Sequence, residues 1–106
     1  MLRFYRAAGL EFIEEQHGAG PVHYSSDLSG TILEIYPGAD GVAPDRKAGG
    51  ATMIGFYVKS LDATLTALEA LQAEVVSGAK EGPWGKRAVV LDPDGRAIDL
   101  TEPKQT

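Results

Sequence analysis

Two carboxylates, Glu34 and Asp99, each stand in the middle of an apolar run, and His17 and His23 are the chain's two imidazoles. If residues 32–36 and 97–101 are strands, alternation puts Ile32, Glu34 and Tyr36 on one face and Leu33 and Ile35 on the other. Asp99 then shares its face with Ala97 and Thr101, opposite Ile98 and Leu100. Glu34 is set among bulky residues on this reading; the alternative for either acid is a solvated outer face, common in antiparallel sheets. Two such carboxylates brought to one cleft would bind a cation, or one of them would keep its proton through a raised pKa. His23, in Val22-His23-Tyr24, precedes a turn signal at Ser29-Gly30. A two-residue loop there sets Ser25 opposite Glu34 and His23 opposite Tyr36, on the acidic face, whereas one residue more sets Tyr24 opposite Glu34. His23 is therefore a candidate ligand or general base, since its ordinary pKa near neutrality suits both tasks, or else a strand histidine bonded to a neighbour. His17, beside Gly18, reads as an exposed loop residue. Trp84, between Pro83 and Gly85, either covers a ligand as a lid or caps the core. Tyr57 and Phe56 alternate, so one of them faces the concave side of its sheet, with Tyr57 and Tyr36 as candidate ligand contacts. Lys86-Arg87 either attracts an anion or is a solvated pair.

These side chains need a frame, and the second half of the chain spells one out. Leu61, Leu65, Leu68 and Leu71 recur at helical steps behind Ser60 as an N-cap, which predicts an amphipathic helix over 61–72. Residues 54–58 read as a strand before it and 74–77 as a short strand after it. Residues 78–85 read as a loop. Asp92-Pro93-Asp94-Gly95 then turns the strand 87–91 back into 96–101 as a hairpin. The order is βαβββ. The first half repeats it in weaker spelling: Ala8-Gly9-Leu10-Glu11-Phe12-Ile13 matches Leu71-Gln72-Ala73-Glu74-Val75-Val76, Gly20-Pro21 matches Gly82-Pro83, and Ile32-Leu33-Glu34-Ile35-Tyr36-Pro37 matches the last strand and Pro103. Gly9 suits a left-handed helix end, and Gln72 at the matched place must tolerate one. In this register residues 2–8 form a short helix and the first strand of module one has no counterpart, through a misassigned start, a boundary of the cloned segment or a genuine short form. A neighbouring strand edge is then left open to another chain.

The whole reads as one domain over 1–106, with module one at 1–37, a Gly-rich flexible linker at 38–51 and module two at 52–106. A chain of 106 residues, 43% hydrophobic and 24% charged, is an ordinary globular domain with a modest core, and a second copy would add stability. The formal net charge is -5 and the basic residues are scattered, which excludes a nucleic-acid footprint. There is no cysteine, so disulfides and thiolate metal ligation are excluded, in keeping with a reducing cytoplasm. No apolar run approaches the length of a membrane span or a signal peptide core.

Two tandem βαβββ modules, with Phe4-Tyr5 followed by Gly9-Leu10-Glu11-Phe12, then Leu33-Glu34-Ile35-Tyr36-Pro37, and finally Asp92-Pro93-Asp94-Gly95 running into Ile98-Asp99-Leu100, resemble the vicinal oxygen chelate superfamily, the glyoxalase, bleomycin-resistance and extradiol dioxygenase fold. The resemblance covers nearly the whole chain apart from the linker. It implies an α+β fold in which tandem modules form a half-open mixed sheet around a cleft, module one here lacking its opening strand. It also implies a divalent metal such as Zn, Ni, Mn or Fe, held by residues on the first and last strand of each module. Glu34 and Asp99 match the acidic ligands of the two last strands, and His23 is the nearest further donor. The ligand of the missing strand has no counterpart, and in module two the matching place falls at about Met53, whose thioether suits softer metals.

Two functions follow. One is metal-assisted lyase, isomerase or dioxygenase chemistry on a small oxygen-bearing substrate, with Glu34 and His23 as catalytic residues and the metal as Lewis acid. The other is a drug- or metabolite-binding homodimer without catalysis, or a truncated copy without metal, in which Trp84, Tyr57 and Tyr36 wall the ligand.

Overall fold

The computed structural model describes residues 1–38 and 53–104. The order is α1 (Leu2–Ala7), β1 (Ile13–Glu15), β2 (His23–Asp27), β3 (Ile32–Ile35), β4 (Ile54–Tyr57), α2 (Leu61–Ala70), β5 (Val75–Gly82), β6 (Gly85–Leu91) and β7 (Ala97–Pro103). The fold is α+β. Module one supplies a three-stranded antiparallel sheet in the order β1-β2-β3, and module two a four-stranded sheet in the order β4-β7-β6-β5. The second sheet is mixed, because β4 runs parallel to β7 while β7, β6 and β5 are antiparallel. Position for position, β1, β2 and β3 repeat β5, β6 and β7, and among the described residues β3 has no strand in the place that β4 takes beside β7.

Local chemistry explains the elements that position the groove. Ser60 caps α2, its hydroxyl accepting from the Ala63 amide at 3.2 Å, and the Glu102 carboxylate accepts from the Leu61 amide at 2.8 Å. Two amides of the first turn are thus satisfied from outside the helix, one of them by β7. Gly9 (φ +105°) and Gln72 (φ +63°) end the two helices in the left-handed region, so Gln72 does adopt the conformation that its match to Gly9 requires. Leu61 and Leu68 of α2 are fully buried against Ala88, Val90, Ile98 and Leu100 of the second sheet. Phe4, Tyr5, Ala8 and Leu10 join this same cluster, so the short helix of module one packs into module two's core. Each leucine, isoleucine, valine or phenylalanine among them contributes about 1.5–3 kcal/mol by leaving water.

Two expectations need correction. Residues 78–85 are not a loop: β5 continues to Gly82, Gly82 pairs with Gly85, and only Pro83 and Trp84 remain in the turn. The pairing slips between Val75 and Ser77 and again between Ser77 and Lys80, and this irregularity lets the Gly-containing run stay in the sheet. Gly20-Pro21, matched to Gly82-Pro83, lies instead within a longer connection, since Glu15 pairs with His23. The linker reading of 38–51 falls almost entirely outside the described residues.

Candidate functional site

In the second sheet, alternation assigns one face to α2 and leaves the other open. Ile98 and Leu100 face the helix, and so does Lys86, whose ammonium lies 3.6 Å from Asp62 of α2. The open face carries Gly55 and Tyr57 of β4, Asp99 and Thr101 of β7, and Arg87 of β6, all placed by register: Gly55 opposite Asp99, Tyr57 opposite Thr101, and Arg87 opposite Thr101 from the other side. Tyr57 rather than Phe56 is thus the outward ring, and it is 82% exposed. The turn between β5 and β6 brings Trp84, 81% exposed, to the end of the same face. Together Tyr57, Trp84, Pro83, Pro103, Arg87 and Asp99 line a groove of about 750 Å³.

Asp99 is occupied within this groove. Its Oδ2 accepts from Arg87 Nε at 2.8 Å, and its Oδ1 accepts from Thr101 Oγ1 at 3.3 Å. Lys86 and Arg87, adjacent in sequence, therefore serve opposite faces of β6.

Glu34 and His23 stand in another setting. Ser25 pairs with Glu34 and Tyr24 with Ile35, the register that leaves His23 beside Tyr36. The Leu28 amide donates to the Thr31 carbonyl at 2.7 Å across Ser29 and Gly30, both at positive φ, the two-residue form among the loops that the Ser-Gly signal allows. The imidazole of His23 is buried, 2% exposed, and stacks on the Tyr36 ring with centroids 4.3 Å apart and planes 9° apart. The His17 ring lies 5.1 Å from it, tilted by 36°, while its own side chain stays exposed. His23 Nδ1 contacts the Pro21 carbonyl at 3.3 Å. Nearby, the Ser25 hydroxyl donates to the Glu15 carboxylate. The face of Ile32, Glu34 and Tyr36 is open in this chain rather than covered, with Leu33 and Ile35 turned toward the core. Glu34 and Tyr36 line a cavity of about 400 Å³ with Tyr5, Ile54 and Arg96. The Glu34 carboxylate accepts from the Tyr36 hydroxyl and so holds that phenol above its usual pKa, with a smaller contribution from desolvation.

Among the described residues the candidate donors stand in different places. Glu34 and Asp99 line different cavities, Asp99 is ion-paired to Arg87, and His23 is buried against the rings of Tyr36 and His17. Among the described residues no group of three or more His, Cys, Asp or Glu side chains is placed to hold a metal ion. Met53, at the position matched to the other ligand of module two, is 41% exposed at the entry to β4. Reading the sequence did not join Tyr5 to Asp92 or Arg87 to Asp99; the second pair is implied by the β6–β7 hairpin once its register is fixed.

The glyoxalase/bleomycin resistance protein/dioxygenase superfamily model matches residues 1–100. Among curated proteins none matches the chain in sequence. Solved structures do match in fold. TioX of Micromonospora sp. ML1 is 23% identical with a TM-score of 0.65, over 96% of this chain and 85% of that one. TnmS3, an antibiotic-binding protein of Streptomyces sp. CB03234, is 20% identical with a TM-score of 0.61, over 95% and 81%. The trypanothione-dependent glyoxalase I of Leishmania major is 17% identical with a TM-score of 0.65, over 93% and 73%. With a family model that spans nearly its whole length and a module whose strand order β4-β7-β6-β5 is echoed by β1-β2-β3, this chain belongs to the glyoxalase/bleomycin resistance protein/dioxygenase superfamily.

Proposed function

We propose that this chain is a small-molecule-binding member of its superfamily that holds a flat organic ligand in the groove between Tyr57 and Trp84, and that it is not a metal-assisted lyase, isomerase or dioxygenase. One observation carries the reading: the two most exposed large aromatic side chains, Tyr57 and Trp84, open on the same groove, while the acids and the histidine that metal chemistry would need are dispersed. Aromatic rings supply large contact area for few rotatable bonds, which suits them to hold a planar ligand. That the antibiotic-binding TnmS3 shares the fold is in keeping with this use. On the same reading the protein works in the cytoplasm, which its cysteine-free composition suits, and pairs as a homodimer.

Trp84 is the chain's single tryptophan, so its emission reports the groove. Titration with planar aromatic compounds is expected to change that emission saturably, and Tyr57→Ala to weaken binding about tenfold, the scale of one aromatic contact. Emission that ignores every such compound, or a response that Tyr57→Ala leaves untouched, would overturn the proposal.

The metal-dependent reading has its own support in Glu34, which lies at the rim of a cavity with Tyr36 and Arg96. It requires further donors from a second copy. Protein purified without chelator from Zn-, Ni-, Mn- and Fe-replete cells is expected to carry substoichiometric metal; a full equivalent that disappears in Glu34→Ala would restore the enzymatic reading.

A further inference from the structure

Asp99 stands where the resemblance places a metal ligand, yet a guanidinium occupies its carboxylate. Arg87 Nε donates to Oδ2 at 2.8 Å, and Thr101 Oγ1 donates to Oδ1 at 3.3 Å. A cation approaching Asp99 meets a fixed positive charge, so the pair inverts the electrostatics that a metal would need.

The strand register shows what this inversion serves. Tyr57 pairs with Thr101, Thr101 with Arg87, and Arg87 with Lys80, so one row crosses β4, β7, β6 and β5 from an aromatic ring to two cations. Asp99 holds only the Nε edge of the guanidinium. The Nη edge makes no polar contact among the described residues, and the Arg87 side chain is 55% exposed. Lys80 lines the groove and makes no ion pair among the described residues. Lys86 is turned to the other face by Asp62. The groove is lined by Arg87 and Lys80 and by Asp99 and Glu81. The register sets Lys80 beside Arg87 on the open face and Glu81 beside Lys86 in the row of the helix-side face, so the open face itself sets two cations against Asp99 in a chain whose formal net charge is -5. An arginine fork held at one edge presents the two donors that match a carboxylate. Strands about 4.8 Å apart set Arg87 about 10 Å from Tyr57 along the row, a span that a fused-ring acid bridges.

Resting on the reading of this groove as the ligand site, we propose that it selects planar aromatic anions, carboxylates above all, with the ring held by Tyr57 and Trp84 and the anion on the Nη edge of Arg87. Asp99 is the positioning residue for Arg87, and Lys80 adds to the positive field.

The test is calorimetric titration of the full chain with 2-naphthoate and with 2-naphthamide, its neutral counterpart of the same shape. The unsubstituted protein is expected to prefer the acid by about tenfold or more, the value of one charge-assisted contact, and increasingly so at low salt. Arg87→Gln should bring the acid down to the affinity of the amide and leave the amide unchanged. Asp99→Asn, which keeps the guanidinium but loosens it, should narrow the acid-to-amide ratio, again without moving the amide; a purely structural role for Asp99 would lower both ligands together. Trp84→Ala should lower both alike. Melting temperatures of the variants show whether each is folded, and Arg87→Lys keeps the question open to measurement if Arg87→Gln is not. Equal affinities for acid and amide, both lost in Trp84→Ala, would overturn the anion preference and leave the groove reading standing. Binding of neither would remove both. Tightening of the acid by added Zn(II), abolished by Asp99→Asn, would overturn the proposal in favour of a metal site, and so would a self-association that hides Trp84 and excludes both ligands.

Discussion

Tyr5 is 3% exposed, and its hydroxyl donates to Asp92 Oδ2 at 2.6 Å, joining the first helix to the turn before the last strand. Asp92 is itself 4% exposed and organises that turn: its Oδ1 accepts from the amides of Asp94 at 3.0 Å and Arg96 at 2.9 Å, and Arg96 Nη1 reaches Oδ2 at 3.3 Å. Burial, and secondly the hydrogen bond to Asp92, push the Tyr5 phenol far above its usual range. The folded protein therefore keeps the Tyr5 proton at pH values where the unfolded chain releases it. This contribution to stability is complete below the unfolded tyrosine pKa of about 10 and is lost as pH rises above it, because the unfolded state then binds fewer protons. Tyr5→Phe should cost about 1–3 kcal/mol near neutrality by leaving a buried carboxylate short of a donor. Above about pH 10 the gap to the parent should close by about 1.4 kcal/mol per pH unit, the slope of one proton. Urea denaturation from pH 7 to 11 measures both; parallel pH profiles for the two proteins would show that Tyr5 does not titrate on unfolding. The sequence displayed both partners, Phe4-Tyr5 as a helical pair and Asp92-Pro93-Asp94-Gly95 as a turn, but not their bond, because the two sites are 87 residues apart and no local pattern joins them.

At the scale of elements, patterns with a strong local cause were legible and those settled by tertiary pairing were not. Ser60 and the leucine spacing gave α2, and Ser29-Gly30 marked a hairpin with two possible registers, of which the structure adopts the one that puts His23 beside Tyr36. The stretch Gly78-Ala79-Lys80-Glu81-Gly82 has no strand-forming side chains, and its propensity for a loop is overridden by pairing with β6. For the same reason the dispersal of Glu34 and Asp99 was not readable: alternation fixes a face, while the cavity that face lines depends on how two sheets are set in space. Gly85 shows how tightly the second hairpin is drawn against β7. It has φ +133°, and a Cβ placed on it would come within 2.1 Å of the Glu102 carbonyl oxygen and 2.8 Å of the Lys104 amide. Gly85→Ala should cost about 2–4 kcal/mol through backbone strain and displacement of β7. It should also weaken any ligand that Trp84 holds, since the Lys104 amide donates to the Trp84 carbonyl at 3.2 Å. Gly78→Ala, where nothing lies within 4 Å of the new methyl, is the control and should stay within about 0.5 kcal/mol of the parent. Equal melting temperatures for the two variants would show that the close approach at Gly85 is relaxed at no cost.

At the scale of the molecule, the consequence of unequal modules is that the β3 edge has no partner strand among the described residues. β7 has β6 on one side and β4 on the other, whereas β3 has β2 on one side and, among the described residues, no strand on the other. Its amide and carbonyl groups on that side are a template for another strand, and the side chains around it do little to discourage pairing: Ile32 is 55% exposed and Tyr36 52%, with Glu34 as the charge between them. Large rings and branched aliphatics left outside a small domain are a source of association energy, because a chain of 106 residues buries a limited share of its own apolar surface. Size-exclusion chromatography with light scattering is therefore expected to give twice the chain mass at micromolar concentration. Ile32→Lys places a second charge on the edge, where it costs the monomer little because the side chain is already exposed, and should shift the protein to a monomer with an unchanged melting profile at low concentration. Retention of the dimer in Ile32→Lys would move the interface to another surface. The tyrosine and tryptophan of the groove offer an internal check on which one: if β3 is the contact, Trp84 emission should be the same in the Ile32→Lys monomer and the parent dimer, and a red shift on dissociation would show that the two copies meet across Trp84 itself.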